Sequence, residues 1–237
     1  MLQLLNNITH KDLRVITRRG AQWGDNVMAA PATPDEFRKL QAHYPIVFQK
    51  DAQGRFQAVV LFGLEQGQNL FLDPKSASGW DADYLPLSMQ RMPFSIGIAQ
   101  DQPDELRMMV DMASPRISTG ADGEAVFLPH GGNTDLLDHA NSILLTLHEG
   151  LQASTAFIEA LVANELLESF VLDVEKPDGS HGRLVGFYMI HEERLAALGA
   201  STVTMLHQAD YLQPIYMAIA SLSNLAPMIR RRLALEA

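Results

Sequence analysis

"YPIVFQKDAQGRFQAVVLFGL", residues 44–64, sets two short runs of β-branched and aromatic residues on either side of a polar connection. Such side chains fit a pleated, half-buried surface, and Gly54 supplies the positive φ that a tight connection needs, so the stretch predicts a β-hairpin. Downstream, "NLFLD" (69–73), "FSIGIAQ" (94–100) and "LRMMVDM" (106–112) predict three further strands. The last two are joined through the turn residues of "DQPDE" (101–105). Short strands at near-regular spacing predict one antiparallel sheet in the N-terminal half.

The period changes after residue 133. From Leu137, apolar or small residues recur at Ala140, Leu144, Leu147, Leu151, Ser154, Ile158 and Leu161. That 3-4 spacing marks one face of a helix of about seven turns. Asn133 or Thr134 can cap it, Asp135 stands where the dipole favours an anion, and Asn164 can take the left-handed geometry that ends it. Gly150 lowers helix propensity, which predicts a closely approaching neighbour. "LESFVLDVEKPDGSHGRLVGFYMI" (167–190) predicts a second hairpin turning at "PDG". Beyond it, "EERLAAL", "STVTMLHQA" and a stretch with Pro214 in its first turn predict three helices, the last interrupted at Pro227. The fold class is therefore α+β, an antiparallel β-sheet in the N-terminal half with the long amphipathic helix, a β-hairpin and C-terminal helices packed on it. One domain over residues 1–237 is expected, with an internal seam near 114–133, where Gly, Ser and Pro concentrate.

Hydrophobic residues make up 47% and charged residues 19% of the 237, an ordinary globular balance that argues against disorder. A formal net charge of −10 argues against nucleic acid as a partner, since wrapping it needs a concentrated basic surface. The dense basic runs are Arg18-Arg19 and Arg230-Arg231-Arg232, both beside apolar sequence. Absence of cysteine removes disulfides, thiolate nucleophiles and cysteine-ligated metals. The longest near-apolar run, 212–229, carries Gln213, Asn224 and two prolines, so it reads as a buried helix and no transmembrane segment is expected. The N-terminus has no signal-peptide pattern, and a soluble cytoplasmic chain is the expectation.

Eight histidines are present, but no HExxH or HxH spacing, so no metal and no cofactor is expected. His130 in "LPHGGN", Asp135, His139 and His148 are the candidates for acid–base or ligand work. Asp135 and His139 lie one turn apart on one face, with His148 roughly opposite His139. The glycine pair of "HGGN" fits plain helix entry, or backbone donors for an oxyanion. No G-x-S-x-G, GxGxxG or Walker sequence occurs. The stretch 69–94 instead gathers aromatic residues without any period. Trp80 and Tyr84 each join a large apolar face to one hydrogen-bonding group, and Arg91 adds a cationic handle for a carboxylate. These three are the candidate ligand or partner surface; the alternative is that the rings complete the core, as Phe71 and Phe94 are expected to do.

Taken in order, "YPIVF" (44–48), "NLFLD", "GW" (79–80), "YLP" (84–86), "PF" (93–94), "LLESF" (166–170), "LVGFYMI" (184–190), "EERLAAL" and "YLQPIYMAIASLSN" (211–224) resemble the SapC family of bacterial proteins. The resemblance runs from about Tyr44 to Arg232. It implies a surface-layer-related protein whose relatives accompany outer-membrane receptors and flavin-dependent halogenase-like genes, and it implies no reaction. The peptide-transporter permease of the same name is excluded, because this chain lacks spanning helices. The first expectation is a binding or accessory protein for a small amphipathic ligand, a peptide or a modifying-enzyme partner. The alternative is an enzyme acting on an amino-acid or peptide substrate through the histidines and Asp135. Tyr216, Met217, Ile219, Leu222 and Leu225, with Met205 and Leu206, exceed what one helix face needs and predict helix packing within the fold or across a homodimer.

Overall fold

In a computed structural model of the chain, residues 1–99, 102–118, 120–175 and 181–235 are described. The strands are β1 (Leu2–Leu4), β2 (Arg14–Val15), β3 (Ala29–Pro31), β4 (Ile46–Lys50), β5 (Phe56–Leu61), β6 (Phe94–Ala99), β7 (Gln102–Asp111), β8 (Ile117–Ser118), β9 (Glu124–Ala125), β10 (Leu167–Glu175) and β11 (His181–Ile190). The α-helices are α1 (Phe37–Leu40), α2 (Leu87–Gln90), α3 (Asp135–Ala163), α4 (Glu192–Ala196), α5 (Ala200–Gln208), α6 (Leu212–Ser221) and α7 (Leu225–Ala234). Antiparallel sheets, the long helix and the C-terminal helices make the chain α+β. Among the described residues no helix is long and apolar enough to cross a membrane. The elements sort into two compact units that interleave in sequence. The first holds Met1–Asn26, Phe71–Asp81 and Leu87–Glu149; the second holds Val27–Leu70, Ala82–Pro86 and Gly150–Ala237. Residues 114–133 fall wholly within the first.

The strands do not form a single sheet. The first unit carries two three-stranded antiparallel sheets, ordered β1-β7-β6 and β8-β2-β9. Leu13, Val15, Phe94, Val110, Val126 and Phe127 pack with Leu137, Ala140 and Leu144 of α3 into its apolar core. The chain is already strand from Gln102, so Pro103, Asp104 and Glu105 belong to β7 rather than to a turn. "NLFLD" adds no strand either: Leu72 makes only an isolated bridge to Trp80. The reason is local, because the Asp73 carboxylate accepts from the Lys75 amide at 2.8 Å and closes a turn beside Pro74.

The second unit is built on a five-stranded sheet ordered β10-β11-β4-β5-β3. Its centre is the hairpin of residues 44–64, in register from Ile46↔Val60 to Lys50↔Phe56. Asp51 and Arg55 close the turn through the bond Asp51 N to Arg55 O at 2.8 Å, and Gly54 has φ 79°. The second hairpin joins through Phe187↔Gln49 and Tyr188↔Phe48, while its "PDG" turn lies outside the described residues. Helix α6 packs on α1, β4 and β11, burying Ile215 and Ala218 completely or nearly so, whereas Tyr216 and Met205 remain exposed. Ser221 donates to Ala218 O and accepts from the buried Ile46 amide at 2.8 Å, joining helix to sheet. The interruption expected at Pro227 falls just before it, at the residues its ring and missing N–H disturb. A 3-10 turn over Leu222–Asn224 ends the run, and Pro227 sits in the first turn of α7, where its missing N–H has no intrahelical acceptor to lose.

Helix α3 begins at Asp135 as the spacing predicts, but its ends are tied differently. Thr134 Oγ1 lies 2.8 Å from Ala125 O and 3.0 Å from Val126 O, so its hydroxyl donates into the preceding loop instead of capping. At the other end the left-handed residue is Glu165, φ 56°, one beyond Asn164, whose side chain donates to Ala160 O. Within the second unit, a Cβ at Gly150 would stand 2.9 Å from Thr33 Cγ2 and 3.0 Å from Thr33 Cβ, and Thr33 is buried. Gly150→Ala gains helix propensity but forces this stiff side chain aside, so urea denaturation is expected to show a net loss of about 1–3 kcal/mol.

Candidate functional site

The residues expected to act at the aromatic loop are largely engaged by the protein itself. In the first unit Trp80 is 5% exposed and stacks on Phe71, centroids 6.1 Å apart and planes at 18°. Residues 71–81 close on themselves: Asp81 N donates to Phe71 O at 2.8 Å, Asp73 N donates to Gly79 O, and Ser76 Oγ donates to Trp80 O. Arg91, also of the first unit, is half-buried and donates to Phe94 O at 2.8 Å; burial holds its pKa below the usual arginine value. Tyr84 belongs to the second unit. Its hydroxyl donates to Glu36 Oε1 at 2.9 Å, its carbonyl accepts from the Tyr44 hydroxyl, and Lys39 Nζ lies 5.3 Å from its ring centre. Burial, with the Glu36 charge beside it, pushes the Tyr84 phenol well above its ordinary range.

The four acid–base candidates all belong to the first unit. His130 stands exposed on a turn closed by Gly131 N to Leu128 O at 2.8 Å, so that glycine amide is already satisfied. Asp135 and His139 are exposed and share no hydrogen bond, and His148 is half-buried farther along α3. Among the described residues no three His, Asp or Glu side chains are grouped to hold a metal ion.

Sequence reasoning missed the densest polar feature of the first unit. Arg116, 1% exposed, donates to Ile16 O at 2.8 Å and to Arg18 O at 3.1 Å, and it pairs with Asp25. Arg19, 8% exposed, faces Asp25 Oδ1 at 3.6 Å and donates from Nη1 to Met89 O at 2.9 Å. Burial, then the charge of Arg116, lowers the Arg19 pKa to about 10 against the pull of Asp25.

The second unit carries an open cleft of about 320 Å³ between α3 and the β4–β5 hairpin. Ala32, Phe56, Ala58, Leu151 and Ile158 supply its apolar lining, and Gln57, Thr155 and Glu159 supply polar groups. Leu151, Thr155, Ile158 and Glu159 share one face of the helix by their spacing. The Asp51 carboxylate at the cleft edge is fully occupied, accepting from the Gln53 and Arg55 amides at 2.9 Å each and from the Arg55 side chain. Those bonds, led by the Arg55 amide, lower its pKa. Asp51 and Arg55 therefore cancel each other, and Glu159 leaves the cleft with one net negative charge.

These features define an α+β protein with an open amphipathic cleft and a buried arginine–aspartate network. The SapC family model matches residues 5–228, and the chain belongs to the SapC family. No curated protein and no solved structure matches it.

Proposed function

We propose that this SapC-family chain is a binding or accessory protein whose ligand seat is the cleft of the second unit. The observation that supports the reading is the pairing, in one cavity of about 320 Å³, of an apolar lining with a single uncompensated carboxylate, Glu159. Cavities of that size accept a small molecule or one or two peptide side chains, and burial of apolar surface supplies the affinity while a few polar groups fix orientation. The ligand class is an amphipathic cation: an alkyl or aromatic amine, or a peptide side chain ending in ammonium. The exposed setting of His130, Asp135 and His139 favours binding over catalysis.

Octylamine and octanoate, equal in chain and opposite in charge, test this by methyl NMR. Octylamine is expected to shift the Leu151 and Ile158 methyls saturably, octanoate at least tenfold more weakly, and Glu159→Gln to erase the difference. Ile158→Glu is expected to abolish the response. Equal response to both probes overturns the cation preference. Shifts no larger at Leu151 and Ile158 than at the exposed Val203 methyls overturn the seat itself.

A further inference from the structure

Two buried arginines of the first unit are set against a single buried carboxylate. Arg19 and Arg116 share one buried carboxylate, Asp25. Asp25 Oδ2 is taken by Arg116 and by the Gly20 amide at 2.8 Å. Arg91 is half-buried and has no acidic partner among the described residues; its guanidinium bonds only to Phe94 O. These groups meet at one short helix. Arg19 holds Met89 O of α2, and Arg91 follows α2 directly with its amide bonded to Leu87 O at 3.0 Å, so helical geometry extends through residue 91.

Ser88 lies three residues before Arg91, and residues so spaced share a helix face with Cβ atoms about 5–6 Å apart. Its hydroxyl is buried, and Ser88 Oγ has no hydrogen-bond partner. Such a hydroxyl costs the full desolvation of the group unless something else satisfies it. A buried donor without a partner, one helical turn from an arginine with no carboxylate among the described residues, asks for a small acceptor that carries negative charge.

We infer that the face of residues 88–91 is a binding subsite for a small oxyanion, with Ser88 Oγ donating one hydrogen bond and the free edge of the Arg91 guanidinium donating two. Arg19 adds attraction through the low-dielectric interior without touching the ligand. A carboxylate and a phosphate share the acceptor geometry that the guanidinium fork matches; chloride does not. Arg91, only partly buried, is the side from which the anion enters. This site belongs to the first unit and does not depend on the cleft reading.

Melting of the intact chain in acetate, in phosphate and in chloride at one ionic strength tests it. The melting temperature is expected to rise saturably with acetate or phosphate over chloride, as binding to the folded state alone requires. Arg91→Gln is expected to remove the rise, and Ser88→Ala to weaken the apparent Kd about tenfold, one charge-assisted hydrogen bond's worth. In chloride alone Ser88→Ala is expected to melt no lower than the parent, since it deletes an unsatisfied hydroxyl. Should Arg91→Gln not fold, titration of the parent chain followed at the Arg91 Nε–H resonance replaces it, with a saturable shift expected for acetate or phosphate. Identical melting in all three salts, an undiminished rise in Arg91→Gln, or a silent Arg91 resonance overturns the site. Acetate responding without phosphate marks a carboxylate ligand, and the reverse marks a phosphate; either result supports the subsite.

Discussion

Asp25→Ala is expected to lower the unfolding free energy of the first unit by about 3–5 kcal/mol, the cost of leaving buried charge unpaired. The magnitude follows from burial. Asp25 and Arg116 are each 1% exposed and Arg19 is 8% exposed, so water cannot replace the lost carboxylate. Arg116 would keep its bonds to Ile16 O and Arg18 O but lose Asp25, its one counter-charge among the described residues. The Gly20 amide would lose its acceptor as well. Burial, and after it the charge of Arg116, already lowers the Arg19 pKa to about 10. Arg19→Met reverses the balance: it removes one of two cations, leaves the Asp25–Arg116 pair whole, and keeps a long apolar stem in place. Its loss in urea denaturation is expected to be smaller than that of Asp25→Ala. Equal losses would mean that the side chains act through packing alone and that charge balance is irrelevant here.

The parts of this fold legible in the sequence are those whose signal is local. The β4–β5 hairpin has both strands and its turn within 21 residues, and α3 has enough turns for its period to stand out. The division into three sheets had no such signal. Strand β1 is three residues long and pairs Leu2 with Asp111, and β3 pairs Ala29 with Leu61, so neither has room for a period and each depends on a distant partner. Arg116 had no sequence signal for the same reason: it finds Asp25 across 91 positions.

The cleft was hidden by the helix itself. A strict 3-4 spacing averages 3.5 residues per turn against 3.6 for the helix, so the marked stripe drifts around a 29-residue helix. Along the part of α3 in the second unit the buried residues are Gly150, Phe157 and Leu161, while Leu151, placed by the spacing on the apolar face, is 54% exposed and lines the cleft. Over the two heptads from Leu137 to Leu151 that drift is about 40°, enough to carry the side chain from the buried face to the cleft.

Trp80→Ala is expected to destabilise the first unit by about 3–5 kcal/mol, the range for truncating a buried aromatic to alanine. The ring is 5% exposed and lies flat against Phe71, itself 4% exposed, so truncation opens a cavity beneath a loop that is tied at both ends. Relaxation is limited because Gly79, just before the tryptophan, sits at φ 78° with its Cβ position only 2.1 Å from Arg19 O. Loop and neighbouring backbone are therefore already in contact, and the segment cannot sink far to fill the void. A tryptophan held as a ligand contact would behave otherwise, losing binding with little change in melting temperature. Fluorescence separates the two before any ligand is known. The chain has two tryptophans, so Trp23→Phe leaves Trp80 as the only reporter. Its emission is expected to be blue-shifted and shielded from iodide in the folded chain, and to become red-shifted and quenchable at the same urea concentration that unfolds the first unit. Quenching of Trp80 by iodide in the folded state, together with a Trp80→Ala loss under 1 kcal/mol, would return the ring to the surface and make it a contact residue after all.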